Sequence, residues 1–251
     1  TSGYEVKSWI KQVGNHFRLT VYLQSTLDPA VNTKVEKEFD KNNFFEVIGD
    51  IVLELKTVIS PTLPDYDVED HRVTSVQSYD DWQVISSGIS LFYQGRGGEQ
   101  MQPVTEKLKI MKQEGRDSYL VDGLLSYIAS LNYLQTGSEQ EKENALQLAK
   151  DAFNKDPRCD IANVTLGLAL LLNNRGDQSY PYLYYASKST PSPLSFYLLS
   201  IVDGLSQNPR GSSHYHQLFT ELQKEKTGEI YDLMERLQKT NILQTQDFHK
   251  I

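Results

Sequence analysis

Two imidazoles two residues apart, His214 and His216, form the most metal-like spacing in the chain. On a strand they would share a face and could hold a metal. They follow Ser212-Ser213 at an expected helix start. On a helix, positions i and i+2 point roughly 200° apart, which separates the rings. The run Asp65-Tyr66-Asp67-Val68-Glu69-Asp70 has the acidity of a calcium loop. An EF-hand beginning at Asp65 needs Gly at its sixth place and Glu at its twelfth. Asp70 and Val76 stand there, so an acidic connector is expected. Gly95-Arg96-Gly97-Gly98 lacks the Lys-Ser/Thr pair and the preceding strand of a phosphate loop. It reads as a turn between helices. Cys159 lies between Arg158 and Asp160, near an expected helix N-terminus where a thiol's pKa can fall. No His is close to it in sequence, and a structural role is expected. Gly-x-Ser-x-Gly, His-Glu-x-x-His and dinucleotide fingerprints are absent. No catalytic residue, metal or cofactor is expected.

The tyrosines point elsewhere. Fifteen are present, and Tyr180, Tyr182, Tyr184, Tyr185 and Tyr197 cluster in sequence. Tyrosine offers a large contact area, few rotors and a polar tip, which suits binding surfaces. One reading has them filling gaps between helices. The other has them line a groove that recognises a peptide, a small ligand or a second copy of the chain. Asn163-Val164-Thr165 fits a glycosylation acceptor, but it falls inside an expected buried helix.

Composition narrows the partners. Of 251 residues, 39% are hydrophobic and 23% charged, and the formal net charge is −8. Residues 1–80 carry 8 Lys/Arg and 13 Asp/Glu, the rest 17 and 20, so both parts are acidic. Binding to nucleic acid or to an anionic membrane needs cations, and neither is expected of this segment. The single cysteine has no internal disulfide partner, so cysteine usage does not give the redox compartment. The chain starts Thr1-Ser2-Gly3, without Met or an apolar leader, and reads as a processed protein or an excised fragment.

The elements that position these residues begin with Leu166-Gly167-Leu168-Ala169-Leu170-Leu171-Leu172. The uncharged window 161–174 would be ~21 Å long as a helix, short of the ~30 Å hydrocarbon core of a bilayer. It is expected to be a core helix, one unit of an array. Four segments align on a glycine expected to end a helix: Gly95, Gly137, Gly176 and Gly211. Seven residues before each lies a small residue: Gly88, Ser130, Ala169 and Gly204. Small side chains let helices approach closely, and a left-handed glycine ends a helix at little cost. Ser138 or Asp177 is expected to cap the helix that follows. Those second helices carry stripes such as Ala145, Leu148, Ala149 and Ala152, closed by Asp156-Pro157, or Leu183 and Ala186, closed by Pro191 and Pro193.

From about Asp81 to Leu222 the chain resembles divergent tetratricopeptide repeats, best in Ser130, Tyr133, Gly137, Ala145, Ala152 and Pro157. The family period is shorter than the first two spacings here, 42 and 39 residues, so inserted loops are expected near Ser138–Glu143. Lys188 stands where a small residue is expected, and Asn208-Pro209 interrupts the last unit.

Residues 1–78 do not repeat and are expected to form a separate small α/β module, with the helical domain at 79–251. His16 to Leu23 alternates like a half-buried strand, and Tyr4 to Val13 is expected to pair with it across Gly14-Asn15. Val31 to Ile59 reads as mostly helical, with a break at Lys41-Asn42-Asn43, and His71 to Val76 as a further strand. The fold class is therefore α+β: a small N-terminal α/β module followed by an all-α helix-turn-helix repeat array.

This order resembles the periplasmic half of ToxR/CadC-like membrane-anchored transcriptional regulators, most clearly in Asp81-Trp82 to Gly95 and the longer units after it. The resemblance implies a non-enzymatic sensor of a bacterial inner-membrane protein, located in the periplasm. It would bind a protein or small-molecule ligand, with a second copy of the chain as a further candidate partner. This segment itself would enter neither DNA nor the membrane. Cys159, being alone, cannot supply the internal disulfide of some such sensors. The competing expectation is a soluble, cytoplasmic repeat adaptor or secretion chaperone that binds a peptide in its concave groove.

Overall fold

The structure, a computed structural model, describes residues 4–27, 32–59, 76, 78–225 and 231–239. It is an α+β protein: a three-stranded antiparallel sheet followed by an array of paired helices. The chain divides into two compact units, 1–82 and 83–251.

In the first unit, β1 (Tyr4–Val13), β2 (His16–Ser25) and β3 (Asn32–Phe39) pair in sequence order. The first hairpin turns in two residues between Val13 and His16, with Gly14 at φ +61°, a conformation that strains an L side chain. Leu19, Val21, Val35 and Phe39 pack on Phe44, Val47 and Ile51 of α1 (Phe44–Ile59).

Residues 32–39 correct the expectation of a helix from Val31. They form β3, and only 44–59 are helical. Val35 and Phe39 are four residues apart, a spacing that suits one face of a helix and equally one face of a strand. Pairing with β2 decides between them, placing Val35 opposite Val21 and Phe39 opposite Phe17. The break at Lys41-Asn42-Asn43 is the turn into α1. There the Asp40 carboxylate accepts from the Asn42 and Asn43 amides, and the Asp40 amide donates to Asn43 Oδ1 at 2.7 Å. Of the expected strand 71–76, only Val76 lies among the described residues, and it is buried.

The contact boundary between the units falls within α2 (Tyr79–Tyr93). The second unit continues through a 3₁₀ turn (Gly98–Gln100), α3 (Gln102–Gln113), α4 (Tyr119–Thr136), α5 (Glu139–Lys155), α6 (Asp160–Leu172), α7 (Gly176–Ser189), α8 (Pro193–Leu205), α9 (Pro209–Glu225) and α10 (Tyr231–Gln238). α4 packs on α5, α6 on α7 and α8 on α9, while α4, α6 and α8 stack on one another. Being covered on all sides, α4, α6 and α8 carry the near-continuous buried runs 120–131, 161–172 and 193–203. α5 and α7 bury only one stripe each.

Ser130, Ala169 and Gly88 are buried as their spacing predicted, and Gly204 is half-buried. A Cβ on Gly88 would lie 2.8 Å from Leu124 Cδ1 of α4, so α2 and α4 meet closely there. Gly95 (φ +63°) and Gly137 (φ +69°) end their helices in the left-handed region. Gly176 and Gly211 do not. Asn174 and Gln207, both at φ 57°, take the left-handed step, and the next amides close back on Leu170 O and Asp203 O. Gly176 opens α7, and Gly211 lies in the first turn of α9. Gly211 is needed for closeness, because a Cβ there would meet the Asp203 carboxylate of α8 at 2.1 Å.

The expected caps also move. Ser138 precedes α5 without a side-chain cap bond, and Asp177 lies inside α7 behind Arg175. Ser118 accepts from the Val121 amide at the start of α4, and Ser192 forms a reciprocal capping box with Ser195 at the start of α8. No loop is inserted near Ser138–Glu143, because α5 already begins at Glu139; the long period comes from helices of 18 and 17 residues. α10 returns to α4, where Arg236 Nη1 donates to Leu131 O at 2.8 Å.

Candidate functional site

The five singled-out tyrosines reach different surroundings. Tyr180 stacks on Tyr184 one turn away, rings 5.8 Å apart, and its hydroxyl lies 3.4 Å from that of Tyr215 on α9. Tyr184 is exposed, with the Lys188 ammonium 5.2 Å over its ring, and Tyr185 is exposed beside it. Tyr182 turns to α5 and meets Phe153 edge-on at 5.2 Å. Tyr197 is buried against Phe219 of α9, and burial pushes its hydroxyl up to about 12. Tyr180, Tyr184 and Tyr185 therefore share a helix surface, while Tyr182 and Tyr197 fill gaps between helices.

A cleft that the sequence did not flag opens between α3 and α5, over α4, with a volume of about 190 Å³. Leu125, Ile128, Ala129 and Leu148 form its apolar floor. They are buried because α4 must pack on α5, and Ala129 keeps the floor low. Lys109 and Lys112 of α3, Asn132 of α4, and Glu141 and Asn144 of α5 form its rim. A charge network centred on one buried carboxylate closes one end. Asp122, in the first turn of α4, has a fully buried side chain. It accepts from Lys112 Nζ at 2.5 Å and from Lys155 Nζ of α5 at 2.7 Å, and Lys155 also bonds Asp117. Burial works against the Lys155 ammonium, but its bonds to Asp117 and Asp122 outweigh it and hold its pKa above the ordinary lysine value.

Lys112 is thereby committed to Asp122. Among the described residues, Lys109 has no carboxylate partner, and the side-chain amides of Asn132 and Asn144 have no hydrogen-bond partner. Each such amide can donate and accept, as one peptide unit does. An apolar floor, with two amides and one cation that are free among the described residues, and Glu141 suit an extended chain with an apolar anchor. The cleft thus offers an apolar seat ringed by groups that can donate and accept hydrogen bonds.

On another part of the array, the Tyr93 hydroxyl of α2 donates to Asp160 at the start of α6, beside Cys159. Burial, above all, pushes the Cys159 thiol up to about 11, with the Asp160 charge adding to it. The helix N-terminus does not make this thiol reactive. At pH 8 a thiol reagent should modify Cys159 about 100-fold more slowly in the native chain than in urea, in proportion to the lost thiolate. Equal rates would contradict this burial.

His214 and His216 are both exposed on α9, against Tyr215 and Phe219 respectively. No group of three or more His, Cys, Asp or Glu among the described residues is placed to hold a metal. The acidic run 65–70 lies outside the described residues. Gly95 to Gly98 forms the turn from α2 to the 3₁₀ segment. Asn163 is buried, its amide donating to Cys159 O and Pro157 O, and so it is not a surface acceptor. No helix among the described residues is long and apolar enough to cross a membrane. No protein-family model matches the chain, and no curated protein matches its sequence.

Proposed function

We propose that the chain is a non-enzymatic sensing and interaction domain whose α3–α4–α5 cleft seats an extended peptide segment of a partner protein. The observation that carries this reading is the pair of free amides, Asn132 and Asn144, over an apolar floor beside the free Lys109. The amides bond the peptide backbone, the floor takes one apolar side chain, and Lys109 takes a neighbouring carboxylate. The order of a small sheet module and then helix pairs supports placing this domain in the exported sensor of a ToxR/CadC-like membrane-anchored regulator. In that setting, peptide occupancy is the signal. The acidic balance of both units supports a protein rather than a nucleic-acid partner.

The test is selection of a displayed random decapeptide library on the whole chain. Enriched peptides are expected to carry an apolar residue next to Asp or Glu. Asn132→Ala with Asn144→Ala should weaken them about tenfold or more, the equivalent of one or two lost hydrogen bonds. Lys109→Glu should select against the acidic residue. Failure to enrich any peptide, or binding indifferent to all three changes, would overturn the reading.

A further inference from the structure

Among the described residues, the sheet of the first unit is covered on only part of one face. α1 lies against β3, and Leu19, Val21, Leu23 and Val35 are buried. On β1, the residues of that same face are open: Val6 is 57% exposed and Ile10 is 52% exposed, although they stand opposite Leu23 and Leu19. The other face of β1 carries Trp9, 49% exposed and stacked on Tyr22 at 4.9 Å. β1 bonds β2 along one edge, and among the described residues no strand bonds the other. A ten-residue edge that no described strand bonds, with apolar side chains on both faces, is a template for another strand.

We propose that a second copy of this chain pairs there, β1 against β1 and antiparallel, about a two-fold axis at Ser8, giving a continuous six-stranded sheet. The axis stands perpendicular to the sheet, so each face of one copy continues the same face of the other, and odd positions oppose odd ones. Centring on Ser8 sets Val6 opposite Ile10 of the second copy, Glu5 opposite its Lys11 and Lys7 opposite its Trp9. The open apolar positions then form one strip, each Lys11 meets a carboxylate, and each Lys7 meets an aromatic face.

Neighbouring registers lack this complementarity. Centring on Lys7 opposes Lys7 to Lys7, and centring on Trp9 opposes Lys7 to Lys11. Centring on Val6 or Ile10 pairs only part of the strand and gives up the Val6–Ile10 contacts. Lys11 also needs such a partner. It stands opposite Arg18, whose guanidinium is held by Glu38 at 2.6 Å, and it has no carboxylate of its own among the described residues. Among the described residues, the ion pair of Glu5 is with Lys7 of its own strand, 3.1 Å away and exposed, which leaves it available.

Sedimentation equilibrium of the whole chain tests this, with circular dichroism to confirm that each variant folds. The wild type should be a dimer. Ile10→Lys, at an exposed position, should give a folded monomer. Glu5→Lys alone should raise the dimer dissociation constant about tenfold or more, and Glu5→Lys with Lys11→Glu should bring it back to within about threefold. A monomeric wild type, a dimer indifferent to Ile10→Lys, or a charge swap that restores nothing would each overturn the proposal. These outcomes do not depend on the peptide cleft.

Discussion

Replacing Lys112 and Lys155 together by methionine is expected to destabilise the helical unit by about 3–5 kcal/mol, the cost of leaving a buried charge without partners. Asp122 has no exposed side-chain surface, and its two oxygens are divided between these lysines, one from α3 and one from α5. The α4 N-terminus helps hold the charge, but only by about 1 kcal/mol. Each single replacement leaves one ion pair in place and should cost about 1 kcal/mol, so the double loss exceeds the sum of the singles. Both lysine chains are partly exposed, so the asymmetry runs one way: a freed lysine can reach water, whereas the aspartate cannot. Adding Asp122→Leu to the double variant removes the stranded charge and should recover most of the loss. Urea unfolding with an unchanged m-value measures all of these. A double-variant cost under about 1 kcal/mol would mean that water reaches Asp122.

Gly167→Leu should cost about 3 kcal/mol, at the upper end of the range for overpacking. Any Cβ at 167 in α6 would lie 2.5 Å from Leu183 Cγ and 2.6 Å from Leu183 Cδ2 of α7. The obstacle begins at the branch point of Leu183, so rotating the leucine's tip does not clear it. Even Gly167→Ala should be a net loss, against the gain of about 1 kcal/mol that alanine normally brings inside a helix. Gly176→Ala is the control: its nearest neighbour, Leu205 Cδ1, is 4.0 Å away, and the change should fall within about 0.5 kcal/mol of wild type. Leu183→Ala in the Gly167→Leu background should restore part of the loss, which denaturant midpoints would report. If Gly167→Leu were neutral, α6 and α7 would not be in close contact.

What could be read from sequence follows from what is local. The apolar run of α6 announced a core helix, and Ser130 and Ala169 announced close packing. The β1–β2 hairpin was legible because alternation and Gly14 agreed. β3 was not, because its two apolar residues fit either period and only pairing with β2 decides. Two of the four aligned glycines do not end a helix: Asn174 and Gln207 turn the chain instead, and the closeness of Asp203 that Gly211 answers has no local signature. The tyrosines were conspicuous by number, yet Tyr182 and Tyr197 serve packing. The cleft was silent, because its rim comes from three helices between 109 and 144, and each residue alone looks like ordinary surface. Asn132, a polar residue on a largely apolar helix, was the nearest thing to a signal.

The cleft is tested most directly by an NMR titration of the labelled chain with a decapeptide selected on it. The largest shifts are expected at the methyl groups of Leu125, Ile128, Ala129 and Leu148 and at the side-chain amides of Asn132 and Asn144. Shifts centred on Tyr180, Tyr184 and Tyr185, with the cleft unmoved, would contradict it.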